Sequence, residues 1–465
     1  MRGFRPCGKI FWCASRPSAT QTMDALYLAN RDSTVRLVVR SGIVSPASLL
    51  VSIITLAGAF LILHWHAHLL YYGDRPLPYR IASDSDAYIK IASGHLAEVE
   101  SPFSKRILYP YLVGTVARAL HLDLDRAFML ANFLCLGLLA YCLAACLEKI
   151  AAQPFLALIP LFTAFGFESL SLAYLPDLFH AAFTCLFFLL LLKEQRAWAL
   201  ITLFFLCLAR DNTFFLCLIL AVIAWLRGER YLFKGALTVL VVGIIVSSVM
   251  ARDGKPNIHH LPDFLYLALK VPYNFFANIF GVFFWTNVRP DVGKPLFIQP
   301  IPAFFRHFAQ DSQIGLVLDW RQPFNTLMVL LTIFGTGPLF LFVFRRKWRG
   351  ISLSLPVQLA LVYGVLSYFL GVMLGNWVFR LVGYGWPAFW IALPFLLVRT
   401  GFRPPWWKAL LLLACFWTVS WMPSLMQESS RHWTLIPPVV IGLSIITAVC
   451  LLRESRDFDQ AKINN

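Results

Sequence analysis

Long apolar runs alternate with short polar breaks from residue 43 to residue 452. Each run is apolar on every face, which marks a buried or lipid-embedded helix rather than an amphipathic surface one. The pattern predicts helices over 43–65, 126–147, 152–167, 177–193, 197–209, 212–227, 232–250, 324–345, 351–374, 382–398, 406–425 and 434–452, twelve in all. A bilayer span takes roughly 20 apolar residues, and helices buried within a bundle can be shorter. The expected fold class is therefore all-α, a polytopic transmembrane helical bundle.

The short loops orient it. Glu148-Lys149, Lys193 to Arg196, Arg227 to Arg230, Arg345 to Arg349, Arg399 to Lys408 and the tail beyond Arg453 fall on one side, together with the basic N-terminal segment. By the positive-inside bias that side is cytoplasmic, and so are both ends. Treating 197–227 as one span would put Arg345 to Arg349 outside. Two long loops then lie on the extracytoplasmic side, 66–125 and 251–323. Within the first, Arg106 to Leu120 reads as an amphipathic interfacial helix. Within the second, the apolar stretch 264–285 reads as re-entrant or interfacial, because a full crossing would move Arg345 to Arg349 to the wrong side. Residues 1–42 read as a disordered basic extension, with Met23 as an alternative start, and 453–465 as a cytoplasmic tail.

Composition agrees with this layout. The 465 residues are 59% hydrophobic and 14% charged. Mean hydropathy is +0.68, beyond any ordinary soluble domain. The net charge of +16 is divided among short loop clusters, so topology accounts for it and nucleic acid does not. The ten cysteines show no metal or disulfide spacing. His64, His66 and His68 alternate, which spreads them around a helix and fits an interfacial belt with Trp65. Trp406 and Trp407, before Lys408, read as an interfacial anchor.

Chemistry concentrates in the first loop, where Asp84-Ser-Asp86 is followed by Tyr88, Ile91-Ala92, Pro102-Phe103 and Lys105-Arg106-x-Leu108-x-Pro110. A carboxylate here could take a proton from an acceptor hydroxyl or bind a divalent cation. Capping the helix that begins near Tyr88 is the competing role. Asp84 and Tyr88, four residues apart, share one helical face. Farther on stand Tyr174-x-Pro176-Asp177 with His180 one turn later, Arg210-Asp211-Asn212 at a tight break, and Asn376 and Arg380 before Tyr384 to Pro387. His259, His260, Asp263, Asp311 and Asp319 belong to the second loop, where they could shape an acceptor site.

This succession resembles the GT-C superfamily of integral membrane glycosyltransferases, whose first outer loop carries an essential Asp in a pattern like D-x-x-x-Y-x-x-I-A followed by R-x-L-x-P. The resemblance runs from residue 43 onward and implies about twelve spans, with outer loops forming the active-site cleft. It implies transfer of a sugar from a polyprenyl-phosphate donor to an extracytoplasmic acceptor, with inversion. The brief tails and lack of organelle signals suggest a bacterial inner (plasma) membrane, although an endoplasmic-reticulum relative would show much the same pattern. Asp84 would be the catalytic base, and Arg106, Arg210, Arg380 and Lys105 would hold the donor phosphate. Asp86, Tyr88, Asp177, His180 and Asp211 would orient substrate. No cofactor is expected, although Asp84 and Asp86 together could hold a divalent cation. Leaving-group charge calls for such cations in any case, and arginine binds phosphate without risk of deprotonation. Snorkelling or ion pairing to Asp177 and Asp211 is the competing structural role for the arginines. The rival class is a transporter or flippase of lipid-linked glycan, which predicts inverted repeats and charges deep inside spans. An envelope polysaccharide polymerase or ligase, centred on later-loop Arg and His, is a second rival, and a purely structural membrane scaffold is a third.

Overall fold

Apolar runs that cannot satisfy their backbone groups in lipid must do so internally, and in this chain they do so as helices. The computed structural model describes residues 45–66, 84–255, 263–283, 297–300, 313–319, 321–348, 351–374, 378–426 and 436–463. In chain order the helices are α1 (Pro46–His66), α2 (Ser85–Ala92), α3 (Leu108–Leu120), α4 (Leu124–Lys149), α5 (Ala164–Ser171), α6 (Asp177–Leu192), α7 (Arg196–Ala209), α8 (Thr213–Leu226) and α9 (Arg230–Met250). After them come α10 (Asp263–Phe280), α11 (Arg321–Phe334), α12 (Gly337–Val343) with a further single turn (Arg345–Trp348), α13 (Leu355–Leu374), α14 (Val378–Gly383), α15 (Trp386–Arg399), α16 (Trp406–Met426) and α17 (Ile436–Ile463). From Pro46 they belong to one packed unit.

Among the described residues three of them, α4, α9 and α13, are long and apolar enough to cross a membrane, and α11 with α12 would make a fourth if that bent pair is one span. Other apolar helices offer shorter described stretches, among them Pro46–Ile62, Asp177–Leu192 and Trp406–Met422. Packing joins α4 to α1, α6 and α15, and α13 to α8, α10 and α15. The core runs through Leu139, Leu143, Phe187, Phe188 and Trp386, all buried. Other apolar side chains face outward, with Val241 54%, Ile245 55% and Val249 65% exposed along α9. A mostly apolar outer face of this kind suits lipid rather than water.

Two expected spans are interrupted. The run 152–167 is not one helix but a 3-10 turn (Pro154–Ala157), a single helical turn (Leu158–Leu161) and α5. Pro154 and Pro160 withhold backbone donors, and the Thr163 hydroxyl donates to Pro160 O at 2.6 Å, which turns the chain aside. The run 324–345 bends by 89° between α11 and α12. Gly335 makes that corner with φ +52°, and a Cβ there would lie 2.3 Å from the Phe416 ring.

The stretch 264–285 forms most of α10, 18 residues long and carrying Pro272 internally. The helix stops at Phe280, and the chain turns into β1 (Val282–Phe283). With β2 (Phe297–Pro300) and β3 (Gln313–Leu318) it makes an antiparallel sheet in the order β1-β3-β2, in register Val282↔Leu318 and Phe297↔Leu316. This small sheet in the second loop is an addition to the otherwise helical fold. Asp319 follows β3, its N–H donating to Gly281 O at 2.8 Å. At the C-terminal end α17 continues as helix through the expected tail to Ile463.

Candidate functional site

Helix α2 is amphipathic, with Ser85, Tyr88, Ile91 and Ala92 on its buried face. It lies close against α3 because Gly114 has no side chain. A Cβ at Gly114 would stand 2.1 Å from Ala92 O. Arg118 of α3 donates to the same carbonyl at 3.0 Å, closing the C-terminal end of α2. Position is thus fixed for the residue that opens the helix.

That residue is Asp84, and it does not act as a cap. Its backbone is already helical (φ −81°, ψ −12°), and its side chain makes no capping hydrogen bond. The carboxylate instead accepts from Arg380 Nη1 at 2.5 Å, across 296 residues of chain. Asp86, two residues on, points the other way. Its side chain is 73% exposed and pairs with Lys90 at 3.1 Å. The two acids of the D-S-D sequence therefore do not make a joint oxygen site. Among the described residues no group of three His, Cys, Asp or Glu side chains stands at metal-binding spacing.

Asp177 is the hub. The turn through Pro176 delivers it as the first residue of α6, where the helix N-terminus favours negative charge. It is 7% exposed and accepts from Arg380 Nε at 2.7 Å and Nη2 at 3.4 Å, a two-pronged contact. It also accepts from Arg210 Nη2 in a short contact and from the Tyr384 hydroxyl at 3.2 Å. Arg210 can reach it because its backbone is extended (φ −154°, ψ 130°) at the end of α7. The next residue, Asp211, then faces elsewhere and accepts from Arg106 Nη2 at 2.8 Å. Tyr88, fully buried, lies with its hydroxyl 3.5 Å from both Arg106 Nη1 and Arg210 Nη1. The Arg210 guanidinium stacks 4.9 Å from the Tyr384 ring centre. His180 Nε2 lies 3.2 Å from Thr213 Oγ1.

Six charges thus meet at one end of the bundle. Asp84, Asp177 and Asp211 face Arg106, Arg210 and Arg380, and the sum is zero. Burial works to raise the Asp211 carboxyl, but Arg106, helped by Arg210, more than cancels this and holds it down to about 2 from an ordinary 3.8. With 41% of its side chain exposed, solvent screens part of that attraction. Burial also disfavours the Arg106 cation, and Asp211 outweighs it, so the guanidinium stays charged. The network is not closed: Nε of Arg106, Nε of Arg210 and Nδ1 of His180 are buried without a hydrogen-bond partner. Beside them lies a cavity of about 10 Å³ lined by Asp177, His180, Arg380 and Tyr384, room for about one water.

Of the residues singled out from the sequence, Asp84, Tyr88, Arg106, Asp177, His180, Arg210, Asp211 and Arg380 converge. Lys105 ends the 3-10 turn just before Arg106 and is half-buried. Asp86 lies outside the network. His68, His259, His260, Asp311 and Asn376 lie outside the described residues, as do the side chains of His64, His66 and Asp263. Trp406 and Trp407 begin α16, 75% and 52% exposed. Sequence reasoning treats Tyr384 only as the start of a Pro-containing segment and passes over Thr213. Neither residue type is unusual where it stands, so only their contacts reveal them.

A second feature is an apolar groove of about 240 Å³ between α10, α11 and α13, lined by Phe275, Ile279, Leu327, Phe369 and Val372 among others. Thr326 Oγ1, on its wall, is buried without a partner. Its α13 wall ends shortly before α14, which carries Arg380. No protein-family model matches the chain, and no curated protein matches it in sequence.

Proposed function

We propose that this protein is a membrane-embedded glycosyltransferase that moves a sugar from a polyprenyl-phosphate donor to an acceptor hydroxyl at the outer face. The observation that carries the reading is the convergence of Asp84 with Arg106, Arg210 and Arg380 from four separate segments. In an apolar bundle such charges are expensive, which makes them a functional hypothesis by default. In this mechanism Asp84 takes the acceptor proton while the acceptor oxygen bonds to the anomeric carbon. The bond from that carbon to the phosphate oxygen breaks, and its electron pair leaves with the lipid phosphate. Arg106 and Arg210, whose Nε groups have no acceptor, would meet the charge that develops there. The groove beside α13 would take part of the isoprenoid tail. With both ends of the chain cytoplasmic, the network would sit at the outer face.

The test is transfer of radiolabelled sugar from polyprenyl-phosphate donors by purified protein in lipid, comparing wild type with folded Asp84→Asn. Loss of a general base typically costs 10²- to 10⁴-fold, and a drop on the order of 10² or more with donor binding retained is expected. Absence of transfer with every donor and acceptor pool, or an unimpaired variant, would sink the reading. Flux across proteoliposomes would then decide for a transporter.

A further inference from the structure

The carboxylate proposed as the base is held by a cation, so it is not free to take a proton from an acceptor. Arg380 grips its two acids unequally. Asp177 receives Nε and Nη2 and is 7% exposed, whereas Asp84 receives Nη1 and its side chain is 21% exposed. Asp177 also has Arg210 and Tyr384, so removing it would strand several partners at once. Asp84 is the acid that can be exchanged. Nor does it serve α2, since it makes no capping bond there. The neighbouring cavity of about 10 Å³ is far too small for a sugar, so a ligand that reaches Arg380 through it must open part of this network.

Resting on the donor class proposed above, we infer that Asp84 is an internal counter-ion standing where a phosphate oxygen of the donor binds Arg380. Its displacement by the donor is what frees the base. Departure of Asp84 uncovers one positive charge, which the single negative charge of a phosphodiester replaces. Donor binding and release of the base are then one event, and the acceptor can be deprotonated only after the donor is seated. A phosphate from lipid or from solution could make the exchange, since the chemistry at Arg380 is the same.

The experiment measures equilibrium binding of a short-chain isoprenyl methyl phosphodiester, and separately of inorganic phosphate, to wild type and Asp84→Asn in nanodiscs. An internal competitor lowers apparent affinity by the fraction of molecules in which it holds the site, so the variant is expected to bind about tenfold tighter. A gain shared by inorganic phosphate assigns the exchange to the anion alone, and a gain confined to the phosphodiester assigns it to the lipid-linked group. Carbodiimide labelling of wild type gives a readout that needs no variant: Asp84 should label faster with the phosphodiester bound, and Asp177 should not. If folded Asp84→Asn binds both probes no tighter, the counter-ion role is wrong, even if wild type transfers sugar normally. Should that variant not fold, unchanged or slower labelling of Asp84 in wild type overturns it. Failure of both proteins to bind either probe overturns the counter-ion role and the donor assignment together.

Discussion

Two buried polar networks lie close together in this bundle, and they are built differently. In the neutral one the Tyr109 hydroxyl lies 3.1 Å from Ala173 O and 3.3 Å from Asn132 Oδ1, while Asn132 Nδ2 donates to Leu170 O at 3.3 Å. Both side chains are essentially unexposed, and no side-chain atom of either is left unpartnered. It joins α3 and α4 to the chain entering α6 and is complete as it stands. The charged network around Asp177 ties the same stretch to α2, α7, α14 and the turn before α15, yet it keeps unpartnered donors and a water-sized cavity. A polar group that only holds helices together finishes its hydrogen bonds. The charged network leaves some open, and its ion pairs are a poor way to gain stability alone.

The sharpest way to break this comparison is Asp177→Asn. It takes the carboxylate from Arg210 and the two-pronged partner from Arg380, and removing one partner of a buried pair typically costs roughly 3–5 kcal/mol. A large fall in unfolding free energy, read by denaturant titration in detergent, is expected, with loss of transfer. Asn132→Ala should cost less, about 1–3 kcal/mol for the groups it leaves unpaired. Binding of the phosphodiester should survive it, and a loss of binding without unfolding would blur the division between the networks. Tyr109→Phe should be milder, about 1 kcal/mol, read in the same titration. Acid provides a smaller test. The Asp211 carboxyl is depressed in the fold, so its contribution is whole above pH 3.8 and fades as pH falls through about 2. The stability difference between wild type and Asp211→Asn should therefore be flat at neutral pH and shrink only in strong acid. Asp86→Asn, on the solvent side of the same helix turn, should leave the melting temperature unchanged, because exposed pairs contribute little. A marked loss of stability there would mean that α2 depends on its outer face as well.

Most of the helices and their order are legible in the chain before it folds, because a continuous apolar run has few ways to satisfy its backbone except by coiling. The sequence also marked the six charged side chains of the network, since a charged residue beside an apolar run stands out whatever the fold, and Tyr88 and His180 by their spacing from Asp84 and Asp177. The break within 152–167 escapes average hydropathy, since Pro160 and Thr163 act on their local turns. The tertiary structure alone separated Asp84 from Asp86, identical in type and two residues apart, by turning one toward Arg380 and the other to solvent. It also recruited Tyr384 and Thr213, ordinary residues made significant by what lies opposite them. Hydropathy is a property of neighbours along the chain, whereas a pairing across 296 residues exists only once the helices have packed.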